Sequence, residues 1–156
     1  MSLDPKTAGN MIQILSGLPD FLRKPMLKSR IKEFNLQSNL NKRETIVIAL
    51  QAAASIPIEK LSILMKTWLE VVAESNSQNR TSIFHIYCEE ILRQPSIVQK
   101  LDTKILTDVL ISLDSKQKEK ITDSLKEAIL ILPNKDKLLR LVPRYTLQAL
   151  QLLNLQ

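Results

Sequence analysis

Glycine is nearly missing: Gly9 and Gly17 are the only two in 156 residues, and they stand apart. Phosphate-cradling loops and dinucleotide fingerprints need several glycines so that the backbone can approach the ligand, so no nucleotide or other cofactor site is expected. Tight β-turns lose their preferred residue as well, which argues against a strand-rich fold. Cysteine occurs once, at Cys88, so no internal disulfide can form and a cytoplasmic setting is expected. Histidine also occurs once, at His85, shortly before that cysteine on an apolar stretch. Two ligands do not make a zinc site, and nothing in the sequence supplies the orienting partner or oxyanion site that a Cys and His pair would need. His85 and Cys88 therefore read as a packed imidazole and a small buried thiol, with no metal and no enzymatic activity expected. Long apolar runs are absent too, so no membrane span is expected, and no basic head with an apolar core opens the chain as a secretory signal would.

What the chain does contain favours helix. Leu, Ile, Lys, Gln and Ala dominate, with 44% hydrophobic and 24% charged residues, the balance of a globular protein whose elements are mostly α-helical. A chain of this length buries a continuous core without disulfides, and residues 1–156 are expected to form a single all-α domain.

Four of the seven prolines, Pro19, Pro57, Pro95 and Pro133, are evenly spaced, which gives a repeat of about 38 residues. A proline ring is pre-set for the first turn of a helix and biases the preceding residue out of it, so each marks a helix boundary. Cutting there gives units 19–56, 57–94 and 95–132, flanked by half-units 1–18 and 133–156. Within units, Leu61, Leu64, Met65, Trp68, Leu69 and Val72 have the spacing of one apolar helix face, as do Ile121, Leu125, Ala128, Ile129 and Leu132. Polar stretches around Ser38, Asn76 and Asp114 read as loops within the units. Eight helices are expected, over 6–17, 20–34, 42–55, 58–74, 80–93, 96–113, 115–131 and 134–154. Pro25 and Pro143 are expected to interrupt two of them, and Asp102 to cap a start within a third. Each unit then forms an antiparallel helical hairpin, and the stack of hairpins resembles the HEAT and armadillo kind of α-solenoid, whose period is about 40 residues. The resemblance is one of plan, without a family signature, and it implies no functional residue. An irregular helical bundle whose prolines merely start helices is the alternative.

The net charge of +6 is unevenly placed, with +4 in residues 19–56 and +3 in 133–156. Arg23, Lys24, Lys28, Arg30 and Lys32 form one basic run, and Lys137, Arg140 and Arg144 a second. Both are candidates for binding an anionic partner, against a plain solvated face. Lys42, Arg80 and Lys118, each at the same offset from a unit proline, would line up as an anion-binding ladder if the units stack in register. Trp68 is assigned to the core. The C-terminal stretch carries more leucines than one face needs, and Leu147, Leu150 and Leu153 are candidates for an apolar interface, including a homo-oligomeric one. These features point to a non-enzymatic interaction module that binds a protein partner. The competing expectation is a nucleic-acid-associated protein that uses sequence-independent phosphate contacts.

Overall fold

The structure, a computed structural model, describes residues 4–155, and all regular elements among them are helical. In chain order these are α1 (Pro5–Ser16), α2 (Asp20–Leu36), α3 (Asn39–Ala53), α4 (Ile58–Glu74), α5 (Ser77–Arg93), α6 (Ser96–Lys100), α7 (Thr103–Ile111), α8 (Ser115–Leu130), α9 (Lys135–Leu141) and α10 (Arg144–Ala149), followed by a 3-10 turn (Leu153–Leu155). From α2 on, helix starts fall at one constant interval: Asp20, Asn39, Ile58, Ser77, Ser96 and Ser115, with the extra start of α7 between the last two.

The residues before these regular starts alternate in chemistry. Pro19, Pro57 and Pro95 precede α2, α4 and α6 and set φ near the helical value without a side-chain cap. Ser38, Asn76 and Asp114 precede α3, α5 and α8. Each accepts a hydrogen bond from the backbone N–H three positions on, at 3.2, 2.8 and 2.8 Å. The polar stretches read as loops are thus N-caps, and the even proline spacing marks only every second regular start. Asp114→Ala leaves a first-turn N–H of α8 without its acceptor and is expected to cost about 1 kcal/mol. An unchanged urea midpoint would contradict that role for the side chain.

Two prolines behave differently from each other. Pro25 leaves α2 unbroken. The carbonyl of Phe21 loses its intrahelical donor, but Phe21 is 74% exposed, so solvent reaches it. Pro143 does divide its stretch, into α9 and α10, and Asp102 caps α7 through the N–H of Ile105 at 3.1 Å. After α10 the chain closes with Gln151 at φ 57°, while Leu152 N–H donates to the Leu147 carbonyl at 2.8 Å and Gln151 N–H to that of Gln148 at 3.1 Å. This is a Schellman close, and it brings the paired leucines Leu147 and Leu152 together inside the core.

Helices that follow one another in sequence are not the closest neighbours. The main contacts join α1 with α3 and α4, α2 with α4, α3 with α5, α4 with α7 and α8, and α5 with α8. Two of these pairs run in the same direction: Arg23 meets Thr67 and Lys28 meets Glu74 across α2 and α4, and Arg80 meets Ser124 and Thr81 meets Glu127 across α5 and α8. No two successive helices are among these main contacts, so they do not describe antiparallel hairpins. The arrangement recurs instead after three regular starts, the shift that takes Asp20 to Ser77. That shift carries the α1–α3 contact to α4–α7, α1–α4 to α4–α8 and α2–α4 to α5–α8. Buried Leu27, Ile31, Leu64, Val71 and Val72 correspond under it to buried Phe84, Cys88, Ile121, Ala128 and Ile129. One apolar cluster runs through all these positions, and a smaller one forms around Ile46, Leu50, Ile86 and Ile97.

Candidate functional site

The residue expected to lead the first basic run is internal. Arg23 is 5% exposed; its Nε donates to Thr67 Oγ1 at 2.9 Å, and its other nitrogens donate to the carbonyls of Ser16 and Leu18 and to Asp20. Arg80, its counterpart one recurrence later, repeats the pattern: Nε donates to Ser124 Oγ at 3.0 Å and Nη1 to the carbonyls of Ala73 and Ser75. Ser16 ends α1 and Ser75 caps the end of α4. Each guanidinium therefore closes the preceding helix at the negative end of its dipole and reaches forward to a later helix. Arg80 is buried and cannot serve as the middle rung of a ladder with Lys42 and Lys118. Lys42 instead lies 5.8 Å from the centre of the Phe34 ring.

The other basic residues divide. Lys24 and Lys28 pair with Glu74 at 2.8 and 3.7 Å across to α4, and the Lys24 hydrogen bond holds the Glu74 carboxyl below its ordinary range. Arg30 approaches Glu33 at 3.9 Å. Lys32, Lys137, Arg140 and Arg144 are exposed and make no ion pair among the described residues. A charge tie that the sequence did not suggest centres on buried Glu90, which takes Arg93 at 2.9 Å and Arg43 of α3 at 3.5 Å. Arg43 also reaches Glu89 at 2.8 Å. An acidic pair at the end of α5 and one arginine two helices earlier carry no local signature.

His85 faces Glu89 at 3.4 Å and the Ala128 carbonyl at 3.4 Å. Burial and the nearby Glu89 push the Cys88 thiol up to about 12, so at neutral pH it stays protonated and unreactive. No cluster of three or more metal-binding side chains occurs among the described residues. The C-terminal leucines are internal as well: Leu147 and Leu150 are buried in the main cluster and Leu153 packs against it. The interface expected there is corrected, because the Schellman close turns these side chains inward.

An apolar feature with the character of a site lies between the helices. A cavity of about 470 Å³ opens to solvent and is lined by α1, α2, α3, α4, α5, α7, α8 and α10. None of its 22 lining residues is charged. Trp68, the sole tryptophan, lies on its wall, half-buried, with its ring edge-on to Phe84 at 6.1 Å and Tyr87 at 5.6 Å. No buried side-chain polar atom among the described residues lacks a hydrogen-bond partner, so the Tyr87 hydroxyl and the Trp68 indole N–H are open to water. Burial pushes the Tyr87 hydroxyl up to about 12, so it remains a neutral donor. At another part of the wall Thr107 and Thr146 share a hydrogen bond at 2.8 Å. Sequence spacing did not reveal the cavity, because a leucine that walls a cavity and one that fills a core recur at the same intervals.

Together these observations define an all-helical protein with no helix long and apolar enough to cross a membrane among the described residues. Compared with known proteins, the chain matches no family model, no curated protein and no solved structure.

Proposed function

We propose that this chain is a non-enzymatic helical-repeat module that binds a protein partner, built as a short α-solenoid with three regular helix starts to each turn. The observation that carries the reading is a contrast between the two turns. On the first, α2 exposes Phe21, Leu22 and Met26 within its opening turns. On the second, the positions matching Phe21 and Leu22 are Gln78 and Asn79, and the one matching Met26 is the buried Ile83. A repeat needs no exposed phenylalanine at this point, so the apolar group on α2 has a use outside the fold. Lys32 and the exposed ends of Lys28 and Arg30 flank it and favour a partner with acidic margins.

The test is capture from source lysate with the wild-type chain and a Phe21→Ser, Met26→Ser double variant, each with and without nuclease. The expected result is a partner protein retained after nuclease and at moderate salt, and lost with the double variant. Loss of all captured material on nuclease treatment, with steep salt dependence, would support phosphate contacts by Lys32, Lys137, Arg140 and Arg144 instead. Equal capture by both chains would remove the α2 surface from the interaction.

A further inference from the structure

The geometry points to a second binding site, independent of the α2 surface: the cavity between the helices takes an uncharged, hydrocarbon-rich small molecule. Its size is the first ground. An apolar cavity of about 150 Å³ accepts one benzene and excludes water, so 470 Å³ with the same kind of wall accommodates roughly 18 non-hydrogen atoms. That is within the range of natural ligand pockets and far from that of a chance packing defect.

The wall chemistry selects the ligand. Leucine, isoleucine, alanine and methionine side chains from eight helices supply the surface, and no lysine, arginine or histidine is present to neutralise a carboxylate or phosphate. A charged head group inside would be an unpaired buried ion, which excludes fatty acids and phospholipids as fully enclosed ligands. The lining residues that carry a polar atom are all neutral: Trp68, Tyr87, Thr103, Thr107 and Thr146. A protein segment is the poorer occupant, because its backbone N–H and C=O groups would need more polar partners than this wall offers.

Trp68 makes the site directly observable, since it is the only tryptophan and lies on the wall. The probe is N-phenyl-1-naphthylamine, an uncharged amine of suitable size that brightens in apolar surroundings and accepts energy from tryptophan. Titrated into the intact protein, it should bind once per chain with micromolar affinity and quench Trp68 emission as its own rises. Hexadecanol should displace it, and hexadecanoate should be weaker by about tenfold or more. Ala49→Phe and Ala53→Phe, one helical turn apart on α3 and both on the wall, should each weaken the probe by about tenfold, with helicity checked by circular dichroism.

Absence of energy transfer from Trp68 in the wild-type protein would overturn the proposal. So would probe binding unaffected by folded Ala49→Phe and Ala53→Phe chains, since the probe would then sit elsewhere. Equal competition by hexadecanoate would overturn the uncharged class. Displacement by a leucine-rich amphipathic peptide but not by hexadecanol would make the cavity a peptide site. None of these outcomes depends on capture of a protein partner by α2.

Discussion

Arg80→Ala is expected to lower the free energy of unfolding by about 3 to 5 kcal/mol, a large part of the roughly 5 to 15 kcal/mol that holds a domain of this size together. The substitution removes the donor that satisfies the Ala73 and Ser75 carbonyls at the end of α4, and it leaves Ser124 of α8 without its partner. It also deletes a buried aliphatic stem from the junction of three helices. Arg80→Lys should recover little, because an ammonium on a straight stem cannot span the same acceptors as a planar fork. Ser124→Ala, which removes one of the three acceptors, should cost only about 1 to 2 kcal/mol. Urea denaturation followed by circular dichroism reads all three. A loss below about 1 kcal/mol for Arg80→Ala would show that the guanidinium does not tie these helices. Arg23→Ala should behave similarly but more mildly, since its Asp20 partner is exposed and can be resolvated.

Leu147→Ala should be the most costly change in the C-terminal stretch, at about 2 to 5 kcal/mol. Leu147 is 3% exposed and its carbonyl receives the Leu152 N–H of the Schellman close, so truncation opens a void where the chain seals the last helix onto the core. For a chain of this size the thermal midpoint should fall by between about 4 and 20 °C. Sedimentation should give the same association state for wild type and variant. An unchanged midpoint combined with a changed association state would restore these leucines to an intermolecular surface.

Helix content and most helix starts were legible in the sequence for local reasons. Proline, serine, asparagine and aspartate act within one turn of where they stand, so Pro57, Pro95 and Asp102 announce the helices that follow them. Ser38, Asn76 and Asp114 lie between helices as their polar surroundings suggested, and each also caps the helix that follows, so the expected starts at 42 and 80 move back to Asn39 and Ser77 and the one at 115 holds. The three-start recurrence was harder to see because its matched positions share burial more than identity. Arg23 and Arg80 are alike, but Leu27 corresponds to Phe84, Ile31 to Cys88 and Trp68 to Leu125.

The charged candidates show the same division. Arg23 and Lys24 are adjacent in sequence and equally basic, yet one closes the end of α1 from inside and the other meets Glu74 near the surface. Nothing in their immediate sequence distinguishes them; the difference lies in which way a rotation of about 100° per residue turns each side chain relative to α4. Composition, proline placement and capping chemistry determined by themselves that the chain is helical and where most helices begin, because those effects act over a single turn. Which arginine is buried, which leucines close the core and which enclose a cavity were decided only by tertiary structure. Those outcomes depend on contacts between residues far apart in the chain, such as Arg80 with Ser124, which local propensity and capping do not report.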